Sequence, residues 1–82
     1  MEDILEVAIR KRNGALYIGR GKRISSFNDV GPFDIYPKHT NFVSVVKQRL
    51  EIEVESGTPL VFSIDRGILR VRENKVEIYI GV

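Results

Sequence analysis

The sequence contains no cysteine and a single histidine in 82 residues. Missing cysteine excludes disulfides, thiolate metal sites and thiol nucleophiles together, and leaves a reducing cytosol as the default compartment. No apolar run approaches the roughly 20 residues of a membrane span. The first segment, Met1 to Glu6, carries Glu2, Asp3 and Glu6 and so lacks the basic start and apolar stretch of a signal peptide. Nor does any window repeat apolar residues at intervals of three and four over the 10 or so positions a capped helix needs.

Catalytic patterns are equally scarce. Ser25 and Ser26 have no nucleophile-elbow glycines around them. Gly19-Arg20-Gly21 lacks the third glycine and the helix of a dinucleotide fingerprint, and no Walker sequence is present. His39, beside a proline, reads as a loop residue held by a local hydrogen bond. Asp29 and Asp34 flank a Gly-Pro turn, where carboxylates commonly cap backbone amides, and their spacing is not that of a calcium loop. The expectation is a chain without catalytic residues, metal or cofactor.

What is present is alternation. Leu5, Val7 and Ile9 alternate with Glu6, Ala8 and Arg10, the period of a strand with one buried face. Asn13-Gly14 then predicts a two-residue hairpin turn that sets Arg12 opposite Ala15 and Ile9 opposite Ile18. A strand with loose boundaries follows between Gly19 and Val30, then a short one over Phe33 to Tyr36, ended by Pro37. Phe42 to Val46 and Leu50 to Val54 read as two further strands, Leu60 to Ile64 as another, with a break at Asp65-Arg66-Gly67. A turn at Asn74-Lys75 sets Arg72 opposite Glu77 and Val71 opposite Ile78, so that Leu69, Val71, Val76, Ile78 and Ile80 face inward. The pattern predicts one all-β domain over 1–82, a two-sheet sandwich of about eight to ten short antiparallel strands.

With 43% hydrophobic and 29% charged residues and a net charge of +2, the chain has the composition of an ordinary globular domain. The charge is uneven along it. Arg10, Lys11, Arg12, Arg20, Lys22 and Arg23 fall early, and Glu51, Glu53 and Glu55 fall in the middle. Solvated strand faces of opposite sign account for this, and a basic nucleic-acid face with stacking aromatics is the rival reading.

The run Gly31-Pro32-Phe33-Asp34-Ile35-Tyr36-Pro37-Lys38-His39 resembles the Gly-x-Phe-Gly-Val-Leu-Pro-x-His segment of the epsilon subunit of F-type ATP synthases (delta in mitochondria). Gly67-Ile68-Leu69-Arg70-Val71 through Asn74-Lys75-Val76-Glu77-Ile78 is similar to that family's Gly-Phe-x-x-Val and Asn-x-Val-x-Val ending. Gly14 to Gly19 fits its first hairpin. The resemblance implies a β-sandwich, and a non-catalytic rotor component that joins the gamma subunit to the membrane c-ring. It would be peripheral on the inner, cytoplasmic face of an energy-coupling membrane, reaching the membrane only through the complex, with no nucleic-acid partner. A free-standing β-sandwich adaptor is the alternative. The implied partner interface is Gly31, Phe33, Ile35, Pro37 and His39, with Tyr36 and Lys38 as departures at neighbouring places, and Tyr36 and Phe42 are expected as exposed aromatics that suit such a joint. Asp34, Lys38 and Arg66 depart from glycines common in the family. The family continues into a helical hairpin where this sequence stops at Val82, so the roles of that hairpin are not expected here.

Overall fold

A computed structural model describes residues 4–81, and the acidic residues Glu2 and Asp3 lie outside them. Every regular element among the described residues is a strand: β1 (Leu5–Lys11), β2 (Gly14–Gly21), β3 (Arg23–Phe27), β4 (Pro32–Ile35), β5 (Phe42–Glu53), β6 (Pro59–Arg72) and β7 (Lys75–Ile80). They hydrogen-bond as one seven-stranded sheet in the order β2-β1-β7-β6-β5-β3-β4.

The sheet folds over itself through β5 and β6. Strands distant in the hydrogen-bonded order meet: the Tyr17 ring of β2 lies 6.5 Å from that of Phe62 in β6. The Lys22 amide donates to the Glu53 carbonyl at 2.6 Å. One layer holds β2, β1, β7 and the adjoining halves of β6 and β5. The other holds β4, β3 and the far halves of β5 and β6. Between them Leu5, Val7, Ile9, Ile24, Ile35, Val46, Leu50, Ile52, Ile64, Leu69, Val71, Val76 and Ile78 form a single core.

Seven strands rather than eight or more result from two bulges that read as breaks in the sequence. Opposite the step from Lys47 to Gln48, Asp65 is the extra residue on β6. Gln48 adopts φ 72, and the register with β3 also shifts beside it. Bulges bend and twist a strand without ending it, so β5 and β6 each run on from one layer into the other. Ser26, buried at 3% exposure, donates from its hydroxyl to the Arg49 carbonyl at 2.7 Å, where the register of β3 with β5 is irregular. Ser26→Ala is expected to cost about 1–2 kcal/mol, read as a fall of roughly 4–16 °C in the melting temperature of a domain this small. An unchanged melt would mean the carbonyl finds another partner.

Three expectations are corrected. The N-terminal turn is Arg12-Asn13, and Leu16 bulges, so Ile9 pairs with Tyr17 and Ala8 with Ile18. A shift of one residue moves side chains to the opposite face, and Ile18 is therefore 61% exposed while Ile9 is fully buried. The C-terminal turn is Glu73-Asn74, both at positive φ (51 and 64), as the type I′ turn requires. It pairs Arg70 with Glu77 and Leu69 with Ile78. This slip relative to expectation is even, so the inward set is unchanged. Finally, the sheet is mixed: β1 pairs with β7 in parallel. No hairpin links these two strands, and almost the whole chain is available as their crossover.

Candidate partner-docking surface

At one end of the sandwich β4 runs out at Ile35, and the chain turns through Tyr36-Pro37-Lys38-His39. The His39 amide donates to the Tyr36 carbonyl at 3.2 Å. Pro37 occupies the first central position, and Lys38 the second at φ 69. Proline fixes a negative φ, so the turn is type II, whose second central residue needs positive φ and is ordinarily glycine. His39 Nδ1 donates to the Thr40 carbonyl at 2.8 Å, the local hydrogen bond its sequence context suggests. Its ring packs edge-on against Phe42 at 5.4 Å. Phe42 in turn lies 5.8 Å from Phe33, which joins β4 and β5 beneath the turn.

The start of this segment is held by Asn28, whose Oδ1 accepts from the amides of Val30 (2.9 Å) and Gly31 (3.2 Å). Its Nδ2 donates to Ser44 Oγ at 3.2 Å. Gly31, at φ 143, takes a conformation that side chains rarely adopt. The amide cap is thus the work of Asn28 and not of the two aspartates. Asp29 accepts from Lys47 Nζ at 2.9 Å, a hydrogen bond that holds its carboxyl below the usual range. Asp34 accepts from Ser25 Oγ at 2.5 Å.

The expected interface residues divide by exposure. Tyr36, at 54%, is open to solvent, as is Lys38, and Gly31, Pro37 and His39 are half-buried around them. Phe33 and Phe42 are likewise half-buried, packed against the core; Phe42 was expected to be exposed, and the neighbouring Phe33 and His39 rings cover it. Ile35, at 1% exposure, is a core residue that offers a partner no surface.

A larger surface escaped the sequence. On the outer face of the β2-β1-β7-β6-β5 layer, Tyr79 pairs with Ile68, Ile68 with Val45 and Ala8 with Ile18. Ile18, Ile68, Tyr79 and Val43 are all exposed. Beside Ala8 and Ile18 the surface opens into a groove of about 270 Å³ reached also by Arg10, Arg20 and Glu77. The only signal in the sequence is parity: these apolar residues sit at the outward positions of strands whose inward positions are already apolar.

The opposite layer presents a polar outer face. Arg23 Nε reaches Glu53 at 3.1 Å, and its Nη2 reaches Glu51 at 3.3 Å. Arg23 Nη1 donates to Ser25 Oγ and lies 3.8 Å from Asp34. The hydrogen bond to Glu53, ahead of the other acids, raises the guanidinium pKa. Arg23 of the early basic stretch thus meets Glu51 and Glu53 of the middle acidic stretch on neighbouring strands β3 and β5. Asp34, in place of a family glycine, completes this network. Among the seven aromatic residues, only Tyr36 and Tyr79 are exposed, and Tyr79 lies beside Arg10 of the basic hairpin. Among the described residues no three metal-ligating side chains gather.

Residues 4–81 match the family model described as ATP synthase, Delta/Epsilon chain, beta-sandwich domain. The chain belongs to this family. No curated protein matches it. Among solved structures, the delta/epsilon domain superposes on a chain of the Euglena gracilis mitochondrial ATP synthase (OSCP/F1/c-ring, rotational state 1). The TM-score is 0.90 at 17% identity, over 98% of this chain and 52% of that one. It also matches a chain of the Tetrahymena thermophila mitochondrial ATP synthase central stalk and c-ring, with TM-score 0.76 at 22% identity, over 95% of this chain and 63% of that one. At such identities the likeness is one of fold, and the present domain spans between about half and two thirds of the length of these chains.

Proposed function

We propose that this delta/epsilon domain is a non-catalytic rotor component of an F-type ATP synthase, one that joins the gamma subunit to the c-ring. The observation that carries the reading is the unpaired apolar outer face of the β2-β1-β7-β6-β5 layer, found in a chain of this family. An apolar centre with a charged rim of Arg10, Arg20 and the ion pair Arg70–Glu77 has the anatomy of a protein interface, whereas the centre of the opposite face is polar. The turn at Tyr36 to His39 adds a second contact at the end of the sandwich. In this assignment gamma takes the sheet face and the edge of the turn, and the c-ring takes the end. The domain then sits at the surface of an energy-coupling membrane through its partners. The matched chains come from structures that contain the c-ring, which supports this choice of partners.

The direct test is Tyr36→Asp in a tagged 82-residue chain, with binding to isolated gamma and c-ring measured beside a thermal melt. Loss of a central aromatic contact costs on the order of 2 kcal/mol, about a 30-fold fall in affinity. The exposed position predicts a melt within about 1 °C of the parent. Equal affinity for both subunits in parent and variant would remove the turn from the interface, and a wild-type chain that binds neither would overturn the rotor assignment.

A further inference from the structure

Rotating the peptide between the two central residues of a turn by half a revolution exchanges types I and II. The amide that swings is that of the second central residue, here Lys38. In the type I form Lys38 would relax to negative φ, the ordinary state for a side chain of its kind. The structure holds it at φ 69 instead. Its amide, which takes no part in the turn's own hydrogen bond from His39 to Tyr36, donates to Asn74 Oδ1 at 2.6 Å.

Asn74 is itself fixed twice over. It occupies the second position of the Glu73-Asn74 turn at φ 64, a conformation asparagine tolerates better than most residues. Its carbonyl accepts from the Glu6 amide at 2.8 Å, which ties the turn to the beginning of β1. One residue thus links β1, the β6–β7 turn and the Tyr36–His39 turn, with its side chain acting on the single peptide that decides the turn type.

From this geometry we infer that Asn74 is a positioning residue, a latch that selects the type II form of the Tyr36–His39 turn and thereby sets the directions in which Tyr36 and Lys38 are presented to a partner. The latch does the work that a glycine at position 38 would do by conformational freedom. Its role in docking rests on the function proposed above, whereas its role in the turn stands on the isolated domain.

The test uses the whole chain and two independent readouts. Asn74→Gly keeps the β6–β7 turn, since glycine accepts positive φ and the backbone bond to Glu6 is untouched, but removes the latch. The Lys38 amide is then expected to exchange with solvent at least fivefold faster, and the strong Pro37 Hα to Lys38 amide cross-peak of a type II turn to weaken. Asn74→Asp, which keeps an acceptor, should retain both. Adding Lys38→Gly to Asn74→Gly should restore the cross-peak without restoring protection. Unchanged exchange and an unchanged cross-peak in Asn74→Gly would overturn the latch. Gamma and c-ring affinities are read on the same proteins: a fall of at least fivefold for either in Asn74→Gly, recovered in the double variant, supports the docking role. A turn that changes while affinity does not overturns that role. A parent chain with no affinity for gamma or the c-ring sinks the function itself, and the amide measurement still decides the latch.

Discussion

Gly67→Ala should unfold the domain at physiological temperature or come close to it. Gly67 lies on β6 where that strand crosses between layers, paired with Ile80 of β7, and it is buried. A Cβ built there falls 2.5 Å from the Tyr79 carbonyl oxygen and 3.3 Å from Val46 Cγ2. The first contact is with backbone, which cannot swing aside as a side chain can. Relief requires β7 to move away from β6, and β7 is also the partner of β1, so the strain spreads to strands on both sides. Overpacking of this kind costs typically 1–3 kcal/mol and occasionally more, and a contact with backbone falls at the upper end. For a domain of this size about 3 kcal/mol is a fall of roughly 12–24 °C. A thermal melt followed by circular dichroism decides it; a loss of less than about 5 °C would show that β7 yields easily.

Ile68→Asp, one residue along, should leave the fold standing and remove the partner. Ile68 points to the outer face between Val45 and Tyr79, and a carboxylate there would meet the apolar centre of the proposed gamma contact. Burying an unpaired charge in an interface costs several kcal/mol, so the affinity for gamma, measured by titration calorimetry, should fall by at least about 30-fold. Surface changes alone are usually within about 0.5 kcal/mol of neutral, and the melt should move by only a few degrees. Val61→Lys is the control. Val61 is exposed on the far half of β6, in the opposite layer and paired with Glu51, and a cation there should change neither quantity. Equal losses from both variants would point to a general loss of solubility and against a specific face.

Why the two neighbours differ so sharply bears on what the sequence could reveal. Alternation marked Leu69, Val71, Val76 and Ile78 as inward, and all four are buried, because parity survives an even slip of the hairpin. It failed at Ile18, because the bulge at Leu16 shifts the register by one and no residue type announces a bulge. The same blindness split β5 and β6 at Lys47 to Arg49 and at Asp65 to Gly67. The end of the sandwich was legible from the Gly-Pro and Tyr-Pro punctuation around residues 31–39, and motif resemblance singled it out as a candidate interface. Neither could show that Ile35 is core, that Asn28 rather than an aspartate caps the turn, or that Asn74 reaches Lys38. Those depend on strands brought together from distant parts of the chain. The apolar outer face was hidden for a related reason: Ile18, Ile68 and Tyr79 read singly as ordinary strand residues and form a surface only once the order β2-β1-β7-β6-β5 is known.

The parallel pairing of β1 with β7 also orders events in time. Val7 lies beside Val76 and Ile9 beside Ile78, so the first strand of the domain completes its pairing only when the last strand, β7, has been made. Until then Leu5, Val7 and Ile9, all buried in the finished domain, have only their hairpin partner β2. Late, sequence-distant pairing of this kind slows folding and prolongs the exposure of apolar surface. A nascent chain held on the ribosome before Val76 would carry an open sheet edge, available to a chaperone.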